Sequence, residues 1–165
     1  RAVMAGAETI EHGDFIDVEL GQLMKAHNVT YMPTIAAVDV ISQYRGWKKG
    51  ITDPPNNVLN KRKSFKEAIA SGVSIGLGGD VGVFPHGENA LEMELMVEYG
   101  LPIMDALKAA TSVNARAFHL EDSLGNLKPG FIADVIVVEG DPSKNISDIR
   151  KVKFVMKDGV VYLSK

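Results

Sequence analysis

Cysteine is absent from all 165 residues. That absence excludes disulfides and thiolate ligands, so any bound metal must be held by nitrogen and oxygen. It fits a cytoplasmic protein, and it leaves secretion of a longer parent open. No basic cluster occurs either. The 18 Lys and Arg are outnumbered by 21 Asp and Glu, for a net charge of -3, which argues against nucleic acid as a partner. No apolar run approaches the ~20 residues of a membrane span, so no membrane partner is expected. There is no charged-then-apolar leader, no internal repeat and no low-complexity stretch. The chain opens at Arg1, within a segment (residues 1–6) that reads as the tail of a helix. A start inside a helix is what truncation, processing or a partial polypeptide would give.

What is present is ordinary for a soluble globular protein: 45% hydrophobic and 24% charged residues. The length suits one domain, or one domain with part of another. Strand-like and helix-like segments alternate through the first two thirds. Residues 8–11 form a short β-compatible run ended by Gly13. Leu20, Leu23, Met24 and His27 then recur at helical spacing within residues 16–27. Residues 29–34 read as a strand with Pro33 near its end, where no ladder donor is needed. Residues 46–57 read as a loop. Val58, Phe65, Ala68 and Ile69 mark a helix stopped by Gly72. Residues 73–77 are a third short strand, running into Gly78, Gly79 and Asp80. A helix follows over residues 88–99, and Pro102 opens another bearing Ile103, Leu107 and Ala110 on one face. This rhythm predicts a parallel sheet with crossover helices.

The pattern changes after Leu120. Residues 133–138 form a strand, and residues 152–163 form a hairpin turning at Asp158-Gly159. We therefore place residues 1–120 in one domain and residues 121–165 in a small β module.

Two side chains stand where an apolar run gives way to glycine: His12, in Ile10-Glu11-His12-Gly13, and Asp80, after Gly78-Gly79. At the carboxyl ends of parallel strands such groups open onto one face, and imidazole with carboxylate suits Zn2+ or a similar divalent ion. Two ligands fall short of a catalytic zinc site. On position alone, a hydrogen-bonded core histidine is the commoner reading of His12, and Asp80 could cap a loop. Glu11 should point to the other side of its strand. Asp14 and Asp17 are N-cap candidates. His86, six residues past Asp80, is a candidate substrate contact or a plain loop residue. Tyr31 is a possible substrate contact, with packing favoured. His27 and His119 read as structural, and the 44–55 segment as an exposed loop or a lid. Glu88, Glu92, Glu94 and Glu98 read as a solvated helix face, and Met93 and Met96 as core.

Ile10-Glu11-His12-Gly13, Tyr31-Met32-Pro33-Thr34, Gly76-Leu77-Gly78-Gly79-Asp80 and Pro85-His86-Gly87-Glu88-Asn89 occur in an order that resembles the later half of the amidohydrolase superfamily. The prolidase-like and imidazolonepropionase-like branch is the nearest match. The resemblance continues through Asp105 to Thr111, Asn114 to Ala117, Gly125 to Asp134 and Val155 to Gly159, nearly the whole chain. It implies an α/β fold: strands six to eight of a (β/α)8 TIM barrel with their helices, then strands of a small β-sandwich. It also implies hydrolysis of amide or related C–N bonds with one or two divalent ions, Zn2+ foremost. His12 would then be the metal ligand on the sixth strand. Asp80 on the eighth would contact the metal and move protons.

The family's His-x-His pair, its fourth-strand lysine and its fifth-strand histidine have no counterpart here. The chain alone is therefore expected to be catalytically incomplete. Its expected partners are a dipeptide or other small substrate, and either further copies of itself or the missing half. Peptide-like amides (Xaa-Pro or other dipeptides, N-acyl amino acids) are the expected substrates, with cyclic amides as the alternative. A catalytically incomplete, self-associating structural module is a further alternative for the isolated chain.

Overall fold

Three short runs build the first sheet of the computed structural model, which describes residues Arg1–Lys165. β1 (Thr9–Glu11), β2 (Thr30–Met32) and β3 (Ser74–Ile75) are parallel, in the order β1-β2-β3. Thr30 lies opposite both Thr9 and Ser74, and Tyr31 opposite both Ile10 and Ile75. The middle strand is buried along its length, as expected of a parallel strand covered on both faces. All three strands leave the sheet at one rim. The strands are shorter than the runs that predict them. Leu77 gives its backbone bonds to a side chain, Asn114, instead of to a neighbouring strand.

The helices follow from capping and from what they bury. Asp17 caps α1 (Val18–Ala26), its carboxylate accepting from the Leu20 N–H at 2.8 Å; this satisfies an orphan donor of the first turn. Asp14, the second cap candidate, instead forms an ion pair with Lys61. His27 does not extend the buried face of α1. The helix ends at Ala26, the left-handed Asn28 (φ 57) turns the chain toward β2, and His27 is left exposed.

α2 (Ile35–Tyr44) has no counterpart among the predicted helices. Ile35, Ala36, Ala37, Asp39 and Ser42 are all buried in it, so its pattern has no single apolar stripe. α3 (Asn56–Ser71) stops at left-handed Gly72, as predicted. α4 (Ala90–Glu98) is followed by α5 (Ile103–Lys108). A π-helical turn (Ala109–Val113) then leads directly into α6 (Asn114–Ala117). The main core, including Met24, Tyr31, Ile35, Phe65, Leu95 and Met96, lies between these helices and the sheet.

Beyond residue 120 the second sheet is antiparallel: β4 (Val135–Val138), β5 (Val152–Lys157) and β6 (Val160–Ser164) in that order. Asp158 (φ 49) and Gly159 (φ 75) make the β5–β6 turn with both residues left-handed, the form that matches strand twist. A 3-10 turn (Ile146–Arg150) docks this unit on α4. There Arg150 reaches Glu88 at 2.5 Å and Glu94 at 2.8 Å. Ile136, Val137, Val160, Val161 and Tyr162 remain exposed on this sheet. No helix of the chain is long and apolar enough to cross a membrane.

Candidate active site

Each strand exit at the shared rim carries a non-glycine residue in the left-handed region. His12 (φ 62) follows β1, Thr34 (φ 48) lies two residues past β2, and Asp80 (φ 58) lies five residues past β3. Such backbone costs about 1–3 kcal/mol per residue and persists only where surrounding contacts impose it. His and Asp tolerate it better than most residues, whereas a β-branched Thr is a true outlier. The rim is therefore a place where the fold holds strain, and both sequence-predicted ligands lie on it.

The contacts that impose it come from beneath. The His12 imidazole meets Thr34 through Nδ1 and Oγ1 at 2.7 Å, which leaves Nε2 as the nitrogen free to meet a metal or substrate. The His12 carbonyl accepts from the Tyr31 hydroxyl at 2.9 Å and from the Lys61 ammonium at 2.6 Å. Lys61 also donates to the Pro33 carbonyl at 2.8 Å, and Ser64 donates to the Gly13 carbonyl at 2.8 Å. A side chain on Gly13 (φ 55) would meet the Tyr31 ring at 2.6 Å, so glycine is required there for both backbone and space.

Glu92 of α4 accepts from the Ile35 and Ala36 N–H groups at 2.9 and 2.7 Å. It thereby caps α2 from 57 residues away. Asn114 closes the third exit, donating to the Leu77 carbonyl at 2.9 Å and accepting from its N–H at 3.0 Å. Gly76 permits this approach, since a Cβ there would lie 2.5 Å from both the Asn114 amide oxygen and the Met32 sulfur.

Burial shapes the chemistry of this support. Loss of water pushes the Glu92 carboxyl up to about 7, opposed by its two backbone donors and by Lys61. Burial holds the Lys61 ammonium below its usual range, opposed by the Asp14 carboxylate. Burial also raises the Tyr31 hydroxyl, with the Asp14 charge adding to it.

The structure corrects the reading of Glu92 as part of a solvated helix face. It is 0% exposed, whereas Glu88 and Glu94 pair with Arg150, and Glu98 pairs with Lys49. Tyr31 is likewise fully buried, with its hydroxyl given to backbone carbonyls. That is a packing position with no surface left for a substrate. His86 is exposed in the 81–89 loop, and His119 is exposed with its Nε2 at 3.1 Å from Glu8. Lys61, Glu92, Thr34 and Asn114 carry no sequence-derived role. Thr34 and Asn114 lie within segments singled out above, and nothing local marks Lys61 or Glu92.

His12 and Asp80 are both exposed. No three His, Asp or Glu side chains of the chain converge to hold a metal ion. The residues present therefore do not by themselves fit a catalytic divalent site, which takes at least three protein donors.

Comparison with known proteins places these features. The model of the amidohydrolase family matches residues 1–162. An ochratoxinase from Aspergillus niger is 31% identical, with 93% of this chain aligned to 33% of that protein. A Xaa-Pro dipeptidase crystallised with methionine in its active site superposes with a TM-score of 0.86 at 36% identity, covering 99% of this chain and 41% of the other. The Aspergillus niger ochratoxinase crystal structure gives 0.84 at 28% identity, covering 99% and 38%. The chain thus spans about a third of the length of the curated relative it matches.

Proposed function

Since the chain belongs to the amidohydrolase family, we propose that it forms the later part of an enzyme that hydrolyses peptide-like amide bonds. Xaa-Pro or other dipeptides and N-acyl amino acids are the substrates we favour. The names of its relatives, a Xaa-Pro dipeptidase and an ochratoxinase, support that class. In this reading β1, β2 and β3 are strands six to eight of an eight-stranded barrel, and β4 to β6 are part of a small β-sandwich. The observation that carries the proposal is the rim, where His12 and Asp80 leave one parallel sheet at its carboxyl edge, each in a left-handed conformation.

We propose a divalent metal as cofactor, Zn2+ foremost, with His12 and Asp80 among its ligands and the other donors supplied from outside this chain. Asp80 is the proton-moving group. Its carboxylate takes a proton as water adds to the amide carbon, then delivers it to the nitrogen as the C–N bond breaks. His12 is aimed by Thr34 and offers Nε2.

The test is amide hydrolysis by the longest polypeptide in which this chain occurs, with dipeptides, N-acyl amino acids and cyclic amides compared. Asp80→Asn should lower turnover roughly 10²–10⁴-fold, and His12→Ala should lower both turnover and bound metal. Unchanged rates in Asp80→Asn would sink the assignment. Preference for cyclic amides would shift the substrate class.

The 165 residues alone should not turn over. Their incomplete donor set and the open edges of β1 and β3 favour association with the rest of the barrel, or with further copies.

A further inference from the structure

We propose that Lys61 is a positioning residue for His12: its buried ammonium grips the carbonyls of His12 and Pro33 and so fixes the imidazole against Thr34. Lysine is almost never fully buried unless its charge is matched, and Lys61 is 0% exposed. Its ammonium donates to the His12 carbonyl at 2.6 Å and to the Pro33 carbonyl at 2.8 Å, and its charge is matched by an ion pair with the Asp14 carboxylate.

The two carbonyls belong to different strand exits. One is on the residue that carries the imidazole. The other is on the residue just before Thr34, whose hydroxyl meets that imidazole at 2.7 Å. Both His12 (φ 62) and Thr34 (φ 48) hold a backbone conformation that needs outside restraint. Tyr31 also donates to the His12 carbonyl but does not reach Pro33. Only Lys61 spans both exits from the helix layer. A lysine that merely satisfied buried carbonyls would affect stability and leave the imidazole's aim alone, and that difference is measurable.

The importance of the inference rests on reading His12 as a ligand, but its test does not. Ring 15N shifts of the 165-residue chain can be recorded at about pH 8.5, where an ordinary imidazole is neutral. Loss of the His12 signals in His12→Gln assigns them. His27, exposed and hydrogen-bonded only through its backbone N–H, serves as the reference for a free ring.

In the wild type the two His12 nitrogens should be widely separated in shift, as in a single fixed tautomer. In folded Lys61→Met they should collapse toward the His27 values. Because the chain has no cysteine, Lys61→Cys can be alkylated with 2-bromoethylamine while unfolded and then refolded. The restored ammonium should restore the separation. Averaged shifts in the wild type, unchanged shifts in folded Lys61→Met, or no recovery after alkylation would each overturn the proposal.

If Lys61→Met does not fold, Tyr31→Phe decides, because it removes the other side-chain donor from the same carbonyl. A retained separation leaves Lys61 as the anchor, and a lost one overturns the proposal. Failure of the chain to take part in any metal site would sink the ligand reading and leave this measurement standing.

Discussion

Glu92 carries the first two N–H groups of α2 on a carboxylate that water does not reach. Burial raises its folded pKa from 4.5 to about 7, so between those values the native state holds a proton that the unfolded chain has released. The associated stability is full below about pH 4.5 and is lost as pH rises through about 7. The loss is on the order of 3 kcal/mol. Glu92→Gln should flatten this fall, as read by urea unfolding at pH 5 and pH 8. An equal slope in both proteins would remove Glu92 as its source. The residue was illegible in the sequence because Glu88, Glu94 and Glu98 surround it with the same chemistry on a helix of ordinary polarity. His12 and Asp80 could be singled out as candidates because each marks the point where an apolar run breaks at glycine. The aim of His12 was not legible, since it is set by Thr34 and Lys61 across 22 and 49 residues.

Among the elements, the parallel strands and the Gly72 stop of α3 could be read from periodicity and punctuation. α2 could not. Its N-terminus has no side-chain cap of its own and borrows the Glu92 carboxylate, and its buried residues lie on more than one face. The helical rod after Pro102 was expected, but its π turn was not. That wider turn ends at Asn114, the residue whose amide closes the β3 exit. π turns within helices often occur where a side chain is redirected for function. Asn114→Ala would leave the half-buried Leu77 N–H and carbonyl without these partners. It should cost about 1–3 kcal/mol in denaturant unfolding. A loss below a few tenths of a kcal/mol would mean that water replaces the amide without penalty.

At the scale of the whole molecule, an arginine ties the small sheet to the helix that follows the rim. Arg150 grips Glu88, at the end of the loop that follows Asp80, and Glu94 one turn into α4. Both carboxylates are partly exposed, so solvent screening limits the pair to roughly 1 kcal/mol. Arg150→Met should therefore speed amide exchange in residues 81–89 about fivefold while leaving β2 unaffected. Equal acceleration in β2 would indicate general destabilisation instead. The sequence betrays the change from alternating to antiparallel architecture through its Asp158-Gly159 hairpin. It could not reveal this docking, because Arg150 and its partners lie 56 and 62 residues apart.

Thr34 sets heat tolerance against marksmanship. Glycine or asparagine at that position would let the chain relax where a β-branched residue is forced into an awkward twist. Either change would also discard the hydroxyl that holds the imidazole still. An engineer seeking a tougher protein would thus be drawn to a position where toughness and accuracy conflict, and should look for gains elsewhere in the fold.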